Sequence, residues 1–409
     1  MTEQHVVVVG ASLAGGAAAL ALREHGFDGS VTLVGAEKEP PYERPPLSKK
    51  LIEGERDEPD WVLAGGDSAA WAEHEVTMRV GTRVTGLDAV ARVVTLDDGT
   101  GLDKDVLAYD TLVLATGSEP RRPPIPGAEH AHTLRSLDDA LAIRRAAQPG
   151  ARVAIVGGSW IGCEVAASLR QRGCDVEIVE KAAGLLSVLG SDAVSERLLA
   201  LHASEGVSVT LRADVTEITE AGVALADRFV DADVVVLATG VRPRLELARH
   251  AGLAEAAGGV AVNATLRTSD PNIVAIGDIA AVDHPVYGTH VRVEHWDVAQ
   301  QHGKYLGAAL TGTAPGPYAR VPYFFSDQYE LGFEYRGWVD PTGPDAEVVV
   351  RGDDPAGSWY AFWLVDGAVQ AVLNANAWDD SAPLWKLATE RPVVSPERLR
   401  DPGVPLTEL

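Results

Sequence analysis

Two glycine-rich stretches of this sequence have the residue types and spacing that bind the pyrophosphate of a dinucleotide. Their defining positions are Gly10, Ser12 and Gly15 in the first stretch and Gly157, Ser159 and Gly162 in the second. In such a fingerprint the first glycine makes a sharp turn, the middle residue faces the pyrophosphate, and the third glycine lets a helix pack closely on a strand. Serine replaces the middle glycine in both copies, and its hydroxyl can donate to a phosphate oxygen at the helix N-terminus. The replacement weakens the pattern without cancelling it.

A second apolar run follows each turn and ends in a glutamate, Glu37 in the first copy and Glu180 in the second. A carboxylate at this place can accept hydrogen bonds from both ribose hydroxyls of an adenosine, and it repels a 2′-phosphate. The alternative is an exposed acid at a strand end that serves only solubility. The pattern predicts two adenosine-bearing ligands without a 2′-phosphate, although Lys181, directly after Glu180, could soften that preference.

Buried strands and alanine-rich helices must position these turns. A run of β-branched residues precedes each turn and an amphipathic helix follows it, in residues 6–26 and 153–173, which predicts two parallel-sheet units. Each unit is closed by a later apolar strand that ends in a Thr-Gly turn, where small residues let the backbone approach a cofactor or another segment. The residues of these turns taken as candidate ligand contacts are Thr116, Gly117 and Gly240.

Two further segments predict antiparallel structure inside the units. Residues 92–110 alternate apolar and polar side chains around Asp98 and Gly99, which predicts a β-hairpin or meander. Residues 207–233 have the same character. The sequence therefore repeats a whole architecture, and two nucleotides are expected, one for each copy.

Composition excludes several classes of function. The chain has 409 residues with 46% hydrophobic and 23% charged positions, enough for two or three domains. Its 35 basic and 59 acidic side chains give a formal charge of -24, which would repel nucleic acid and an anionic membrane surface. No apolar stretch is long enough to span a bilayer. With no signal peptide recognised, a cytoplasmic protein is expected.

Cysteine usage gives no sign of a disulfide framework or of a bound metal. Cys163 and Cys174 are the only cysteines, and there is no second pair to complete a structural zinc site. Both are predicted to be packing residues.

These motifs together resemble the FAD-dependent, NADH-dependent ferredoxin reductases, the family of the putidaredoxin and rubredoxin reductases, related to apoptosis-inducing factor. The resemblance covers nearly the whole chain. Beyond the two fingerprints it rests on "PPYERPPLSKKL" (40–51), "TSDPNIVAIGDIA" (268–280), "RVEHWDVAQQHG" (292–303) and "PYFFSDQYELGFEYRGW" (322–338).

The resemblance implies an α/β fold with two Rossmann-like dinucleotide-binding domains, as in glutathione-reductase-type flavoproteins, plus a C-terminal α+β domain. The implied segments are an FAD-binding domain in 1–117, an NAD-binding domain in 118–242, the rest of the FAD-binding domain in 243–320 and a C-terminal reductase domain in 321–409. Alternating strands predict an antiparallel sheet for the last domain, with a short helix near 381–390. Five tryptophans there are expected mostly in its core: Trp338, Trp359, Trp363, Trp378 and Trp385.

A stiff loop is expected to hold two cations over the flavin. Paired prolines remove backbone donors and fix the chain, so that Arg44 and Lys49 can be held in place. By resemblance, Lys49 lies near flavin N5 and pairs with Glu164 on the second fingerprint helix. A cation there stabilises the anionic reduced flavin. The alternative is a surface loop with an ordinary lysine.

Two further segments are expected to touch the flavin. Gly277 and Asp278 are predicted where a strand meets a helix, and by resemblance Asp278 binds the ribityl chain; its alternative role is a helix cap. Glu294, His295 and Trp296 are predicted to enter a helix that passes the isoalloxazine ring. The resemblance implies a role for Trp296 in nicotinamide binding or electron exit. For Trp296 the alternative is a core aromatic, and for His295 a satisfied polar residue.

No cysteine is predicted beside the flavin, and this determines which group can accept electrons from the reduced flavin. Flavin disulfide reductases carry a cysteine pair after the first ribose acid, whereas this chain has "ERPPLSKKLIEG", so electrons are expected to leave directly from the reduced flavin. The implied reaction is hydride transfer from NADH to FAD, then single-electron transfer to an iron–sulfur ferredoxin that serves a cytochrome P450 or a dioxygenase.

Because ferredoxins of this kind are usually acidic, a local basic docking patch is expected on this acidic protein. Its candidate members are Arg44, Arg121, Arg122, Arg292 and Arg320. Two alternatives stay open. One is a related flavoenzyme with a small acceptor, such as a quinone, oxygen or monodehydroascorbate. The other is a redox-sensing protein like apoptosis-inducing factor, in which NADH binding changes conformation and turnover is slow.

Overall fold

A computed structural model describes residues 4–58, 68–100, 105–340, 343, 346–352, 354 and 357–409. Parts of the predicted antiparallel segments, residues 101–104 and Asp353, lie outside the described residues. The chain divides into two compact units. The first comprises Met1–Glu43, Asp60–Glu119 and Arg242–Arg320, and the second comprises Arg44–Pro59, Pro120–Val241 and Val321–Leu409. Residues 44–59, which fall inside the predicted segment 1–117, thus belong to the second unit.

The strands of the described residues are, in chain order, β1 His5–Val9, β2 Ser30–Val34, β3 Val76–Arg79, β4 Arg83–Asp88, β5 Val93–Asp97, β6 Asp105–Ala108, β7 Thr111–Leu114, β8 Ser118–Pro120, β9 His132–Thr133, β10 Arg152–Val156, β11 Asp175–Val179, β12 Ser208–Thr210, β13 Val215–Thr219, β14 Gly222–Leu225, β15 Phe229–Asp231, β16 Val234–Leu237, β17 Val241–Pro243, β18 Glu255–Ala256, β19 Gly259–Val262, β20 Ile273–Ala275, β21 Ala280–His284, β22 Thr289–Val291, β23 Tyr323–Gln328, β24 Leu331–Gly337, β25 Glu347–Arg351, β26 Trp359–Val365 and β27 Ala368–Ala375. Strands β8 and β17 lie where the chain passes from one unit to the other.

The α-helices are α1 Leu13–Glu24, α2 Lys50–Glu53, α3 Ser68–Glu73, α4 Leu137–Ala146, α5 Trp160–Gln171, α6 Asp192–Ser204, α7 Glu246–His250, α8 Trp296–Leu310, α9 Ser381–Glu390 and α10 Pro396–Arg400. Short 3-10 turns occupy Pro45–Ser48, Ala128–His130, Ser187–Leu189, Gly277–Ile279, Trp378–Asp380 and Leu406–Glu408.

The first unit is built on a five-stranded parallel sheet in the order β20-β7-β1-β2-β3. The four valines of β1 are all buried, as an unbroken apolar run predicts for a strand covered on both faces. Two smaller sheets accompany it, β4-β5-β6 and β18-β19-β21-β22. The antiparallel β4-β5-β6 sheet confirms the meander predicted for residues 92–110, as far as those residues are described.

Helices α1 and α8 of the first unit cross in close contact because small residues meet there. A Cβ atom added to Gly303 would lie 2.6 Å from the carbonyl oxygen of Ala14, and one added to Gly307 would lie 2.4 Å from the Cβ of Ala21. The alanine-rich composition of α1 therefore serves helix packing as well as helix formation.

The second unit repeats the plan with a parallel sheet in the order β12-β11-β10-β16-β9 and an antiparallel sheet β13-β14-β15. The second antiparallel prediction, for residues 207–233, is therefore confirmed for β13 to β15, whereas β12 joins the parallel sheet.

A five-stranded antiparallel sheet, β23-β24-β27-β26-β25, forms the C-terminal part of the second unit. Both this sheet and helix α9 match the prediction. The tryptophan prediction is wrong in part. Trp359 and Trp363 are core residues, but Trp338 and Trp385 are half-buried and Trp378 is exposed. Trp378 lies over Gly332 near the start of β24, an inner strand of this sheet, where an added Cβ would be 2.5 Å from its ring, so the indole covers this strand from outside.

The prediction that Gly277 and Asp278 precede a helix is also wrong. They form one 3-10 turn, Gly277–Ile279, and the chain continues directly into strand β21. Its residues Ala280–Val282 are fully buried, so a second sheet, rather than a helix, takes up this apolar run. Within the described residues, no helix has the length and apolar character needed to cross a membrane. The same residues contain no group of three or more His, Cys, Asp or Glu side chains that could hold a metal ion.

Candidate functional site

The first glycine-rich turn connects β1 to α1 and has no room for side chains at its two glycines. Gly10 has φ +122°, and a Cβ there would lie 2.0 Å from the carbonyl oxygen of Ala115. A Cβ on Gly15 would lie 2.0 Å from the carbonyl oxygen of Gly10. Helix α1 starts directly after Ser12, which is its N-cap residue in extended conformation. The turn thus leads directly into the helix N-terminus, as the fingerprint requires for pyrophosphate.

The first strand-end acid is held by a neighbouring tyrosine. Glu37 is half-buried three residues after β2, and the hydroxyl of Tyr42 donates to its Oε2 at 2.5 Å. The backbone carbonyl of Glu37 accepts from the amide of Gly81 at 2.7 Å. The carboxylate therefore has a defined position, unlike a solvated acid that serves only solubility.

The turn of Gly277 and Asp278 lies at the carboxyl end of β20 and is hydrogen-bonded from two sides. Ser118 Oγ donates to Asp278 Oδ2 at 2.6 Å, and the carboxylate is buried. The amide of Gly277, whose φ is +73°, donates to Nδ1 of His302 at 3.2 Å. Asp278 therefore presents a fixed carboxylate at the sheet edge, where a ligand polyol could bind.

His302 is a functional candidate that sequence reasoning missed. It is buried on α8, its ring packs edge-on against Tyr318 with centroids 4.7 Å apart, and burial lowers its pKa to about 3. The ring is therefore neutral and can accept the amide hydrogen of Gly277. The one sequence signal for His302 was its position on the same predicted helix as Trp296, about one and a half turns further along.

The Thr-Gly turn of the first unit holds another segment of the same unit. Thr116 Oγ1 donates to the carbonyl of Arg244 at 3.1 Å, and the carbonyl of Gly117 accepts from the amide of Arg244 at 3.0 Å. Gly117 has φ +63°, which favours glycine. Of the two readings from the sequence, contact with another segment is the one these bonds support.

The segment of Glu294, His295 and Trp296 leads into α8, as predicted. His295 is the N-cap residue, and its Nδ1 accepts from the amide of Asp297 at 3.3 Å. Glu294 pairs with Arg292. Trp296 is half-buried at the first helical position. The N-cap hydrogen bond gives His295 a structural role, and its contact with a cofactor stays a prediction.

The second glycine-rich turn repeats the first in the second unit. Gly157 has φ +112°, and a Cβ there would lie 2.4 Å from the carbonyl oxygen of Ala238. A Cβ on Gly162 would lie 1.9 Å from the carbonyl oxygen of Gly157, and Ser159 is the N-cap of α5.

Glu180 follows β11 directly, and its side chain contacts the second glycine-rich turn. Its Oε2 accepts from the amide of Gly158 at 2.5 Å and its Oε1 from the amide of Ala182 at 2.6 Å. The carboxylate is thereby fixed beside the turn, where an adenosine ribose would lie if the turn binds pyrophosphate. Lys181 points to Asp214, with Nζ 2.9 Å from Oδ1, and its side chain is 84% exposed.

Gly240 is exposed and lies in the matching Thr-Gly turn of the second unit. No atom lies within 4 Å of an added Cβ, so only its φ of +85° requires glycine. Its carbonyl accepts from the amide of Arg121 at 2.9 Å.

Lys49 and Glu164 form an ion pair in the second unit, with Nζ 2.9 Å from Oε2. Glu164 is 4% exposed, and both of its oxygens are hydrogen-bonded. Ser48 Oγ donates to Oε2 at 2.5 Å, and Ser326 Oγ donates to Oε1 at 2.6 Å. The Lys49 ammonium also lies 5.8 Å from the ring centroid of Phe325. The ammonium of Lys49 is therefore held by a buried carboxylate, and its place near the flavin stays a prediction.

The five candidate docking arginines all hydrogen-bond within their own unit. Their partners are the carbonyl of Arg135 for Arg44, the carbonyl of Val241 for Arg121, the carbonyls of Ala128 and Ala131 for Arg122, the carboxylate of Glu294 for Arg292 and that of Asp297 for Arg320. Each has a structural role, and docking remains a prediction.

Both cysteines are buried, as predicted for packing residues. The thiol of Cys163 donates to the carbonyl of Gly158 at 3.5 Å, and that of Cys174 to the carbonyl of Ala147 at 3.7 Å. Burial raises the pKa of both thiols, which disfavours the reactive thiolate.

The chain belongs to the pyridine nucleotide-disulphide oxidoreductase family, whose model matches residues 4–303, and its residues 323–409 match the reductase C-terminal family. These matches confirm the predicted α/β class with its C-terminal domain. A ferredoxin–NAD(+) reductase component of an anthranilate 1,2-dioxygenase system from Burkholderia cepacia is 37% identical, over 99% of both chains. The corresponding component of a p-cumate 2,3-dioxygenase system from Pseudomonas putida is 36% identical, over 98% of both chains.

A solved structure of a covalent putidaredoxin reductase–putidaredoxin complex is similar throughout. It aligns with a TM-score of 0.90 and 32% identity, covering 99% of this chain and 97% of the other.

Proposed function

We propose that this chain is an NADH-dependent ferredoxin reductase that holds FAD and passes electrons to an iron–sulfur ferredoxin of a dioxygenase or cytochrome P450 system. The observation that carries the proposal is the pair of glycine turns, each without room for a side chain and each followed by a fixed glutamate. Relatives named as ferredoxin–NAD(+) reductase components align over nearly the full chain, which supports the acceptor class.

The first unit has the groups that FAD requires. Gly10, Ser12 and Gly15 would hold its pyrophosphate, Glu37 its adenosine ribose and Asp278 its ribityl chain. The fit rests on the missing Cβ atoms at the turn and on the buried carboxylate of Asp278 at the sheet edge. Bound FAD supplies the conversion between hydride transfer and one-electron transfer. The further contacts proposed for it in this unit are Thr116, Gly117, Gly277, Glu294, His295 and Trp296, and Arg44 of the second unit is proposed as well.

The second unit has the groups that NADH requires. Gly157, Ser159 and Gly162 would hold the pyrophosphate, with Gly240 at the neighbouring strand end. Glu180 would accept from the ribose hydroxyls and exclude a 2′-phosphate. The ammonium of Lys181 lies on Asp214, but both side chains are exposed, so this pair changes the charge beside the ribose little.

Lys49 supplies a cation for the reduced state of the bound cofactor, and Glu164 orients it. The ion pair fixes the ammonium in one place, so no reorganisation is needed when negative charge develops. The charge of the carboxylate is balanced by the Lys49 ammonium, and a serine hydroxyl donates to each of its oxygens, so neither buried oxygen lacks a donor.

The proposal keeps the domain assignment made from the sequence: FAD binding in 1–117 and 243–320, NAD binding in 118–242, and a C-terminal reductase domain in 321–409. It also keeps a cytoplasmic location, where the ferredoxin and its oxygenase would draw on NADH.

An anaerobic titration tests the proposal. The yellow, flavin-loaded protein is titrated with NADH and in parallel with NADPH, and a dioxygenase ferredoxin is then added. Bleaching by one equivalent of NADH, little bleaching by NADPH and fast ferredoxin reduction are expected. A chain that binds no flavin, or that reduces a quinone, oxygen or monodehydroascorbate but not ferredoxin, would refute it. A long-lived charge-transfer complex with slow turnover would instead favour the redox-sensing alternative.

Ionic strength tests the predicted docking patch separately. If the arginines steer an acidic ferredoxin, its reduction rate falls as salt is raised from about 0.01 M to 0.15 M, because the Debye length shortens from about 30 Å to about 8 Å. A rate independent of salt would contradict the patch without touching the proposed reaction.

A further inference from the structure

Lys49 lies in a segment with little structure of its own. It connects the 3-10 turn Pro45–Ser48 to α2, a helix of four residues, and its own φ and ψ of -123° and -112° belong to neither. A single helical turn is not stable in isolation, because nucleation costs more than one hydrogen bond returns. Contacts from elsewhere in the second unit must therefore hold the segment in place.

Three side chains from α4 and the end of α5 hydrogen-bond its main-chain carbonyls; we name Arg144, Ser168 and Arg172 the clamp. Ser168 Oγ donates to the carbonyl of Ser48 at 2.8 Å. Arg172 Nη1 donates to the carbonyl of Glu53 at 3.1 Å, and Arg144 Nη1 donates to the carbonyl of Arg56 at 2.6 Å. These bonds fix the chain just before Lys49 and just after α2.

The clamp supplies what the short helix lacks. The last carbonyls of a helix have no partner within it, and charged donors satisfy them well. Arg144 Nη1 also lies 3.3 Å from the carbonyl of Leu51. Gly54 leaves space for the guanidinium of Arg172, because a Cβ there would lie 2.6 Å from its Nη1.

One face of α5 carries both the ion-pair partner of Lys49 and most of the clamp. Glu164, Ser168 and Arg172 follow one another at intervals of four residues, so they project from the same side of the helix. The same helix begins at the second glycine-rich turn. On this face of α5, Glu164 therefore presents its carboxylate to the Lys49 ammonium. Ser168 presents its hydroxyl to the main chain before Lys49, and Arg172 presents its guanidinium to the main chain after Lys49.

We propose that the clamp residues Arg144, Ser168 and Arg172 are positioning residues for the reaction: they hold the backbone around Lys49 so that its ammonium stays on Glu164. The inference rests on the proposed function, since it assigns the clamp an effect on reduction by NADH. The clamp residues have no predicted contact with a ligand, yet the rate of flavin reduction by NADH is expected to depend on them.

The chain offers a matched control. Arg170 is in the last turn of the same helix and also donates to carbonyls. Its Nε is 2.7 Å from that of Glu205 and its Nη1 is 3.1 Å from that of Cys174, so its hydrogen bonds go to segments other than residues 48–56. Arg172→Met and Arg170→Met thus each remove one carbonyl-binding guanidinium and differ in the segment that is released.

The experiment combines hydrogen exchange with stopped-flow reduction of the flavin-loaded protein. Arg172→Met should speed amide exchange in the peptide containing residues 50–57 and slow reduction at saturating NADH by about three- to tenfold, with the Kd for NADH little changed. Arg170→Met should leave exchange in that peptide and the reduction rate as they are. If the rate is unchanged although exchange rises, or if exchange does not rise, the proposal is wrong.

A double-mutant cycle separates positioning from general damage. In a Lys49→Met background, Arg172→Met should slow reduction no further, because the ammonium that it positions is gone. An equal loss in both backgrounds would overturn the proposal. Arg172→Lys should recover part of the reduction rate. If Arg172→Met does not fold, the same measurements are made on Ser168→Ala, which is the mildest change. If the unaltered chain is not reduced by NADH at all, the proposed function fails, whereas exchange still shows whether the clamp holds the segment.

Discussion

The hydroxyl of Ser326 donates to Oε1 of Glu164 at 2.6 Å, on the carboxylate oxygen that Lys49 does not contact. Ser326 is on β23, an edge strand of the C-terminal sheet, and Glu164 is on the helix that follows the second glycine turn. The C-terminal sheet therefore completes the hydrogen bonding of a buried charge, which ties this sheet to the ion pair.

Removing that hydroxyl is expected to destabilise the protein. Ser326→Ala leaves one oxygen of a buried carboxylate without a donor, and we expect the free energy of unfolding to fall by about 1–3 kcal/mol. Denaturant titration measures it. Ser358→Ala is the control, because Ser358 is exposed and donates only to the carbonyl of Asn376. An equal and small effect of both substitutions would contradict the role of Ser326.

Removing the cation is expected to slow flavin reduction. Lys49→Met should lower the rate of reduction by NADH at least about tenfold, because a fixed positive charge is lost where negative charge develops. Anaerobic stopped-flow absorbance measures the rate. The neighbouring Lys50→Met is the control, since Lys50 is exposed. Identical rates for Lys49→Met and the unaltered protein would exclude the proposed role.

Removing the ribose acid is expected to relax the choice of nucleotide. Glu180→Gln eliminates the charge that repels a 2′-phosphate and leaves Lys181 next to it, so the ratio of kcat/KM for NADH over NADPH should fall about tenfold. Glu177→Gln is the control, because Glu177 is on β11, the strand that Glu180 follows, and pairs with Arg228. Steady-state kinetics with both nucleotides measures the ratio, and a ratio that changes equally in both variants would argue against ribose binding by Glu180.

Acid is expected to destabilise the protein through buried neutral histidines. His202 donates through Nε2 to Gln328 Oε1 at 3.0 Å and accepts at Nδ1 from the Tyr329 hydroxyl at 3.3 Å, and burial lowers its pKa to about 4. The unfolded chain binds this proton below about pH 6.5, but the folded chain does not until about pH 4. The free energy of unfolding therefore falls as the pH drops through that window, by up to about 1.4 kcal/mol per pH unit for this group.

A substitution isolates the contribution of His202. Unfolding of His202→Gln, followed by denaturant titration from pH 7 to pH 4.5, should depend less steeply on pH than unfolding of the unaltered protein. His74→Gln is the control because His74 is exposed. The same slope in all three proteins would show that His202 does not contribute.

The repeated fold was predictable because its signals are local. Unbroken valine runs and glycine turns specify strand, turn and helix within a few residues of one another, as β1 with α1 and β10 with α5 show. The ion pair of Lys49 and Glu164 was predicted only through the family resemblance, because no spacing rule relates positions so far apart. His302, Ser326 and the clamp were missed for the same reason: each acts through a contact that only the folded chain creates.

The two wrong predictions have a common physical origin. A short apolar run such as Ala280–Val282 fits a buried strand as well as a buried helix, and its neighbours decide between them. Trp378 is apolar, yet it covers a glycine of the inner strand β24 from outside instead of entering the core. In both cases tertiary context outweighed residue type.

Neither compact unit is continuous in the chain. The first is complete only once Arg320 has been synthesised. Its strand β20 must add to β7, and residues 115–272, which include the inserted part of the second unit, lie between these two strands. In a nascent chain the edge of β7 that pairs with β20 therefore stays without its partner strand while the ribosome makes that insert, and such late, non-local pairing folds slowly and is prone to aggregation. No single continuous segment of the gene could therefore encode either unit alone, and producing either unit depends on translating the full reading frame.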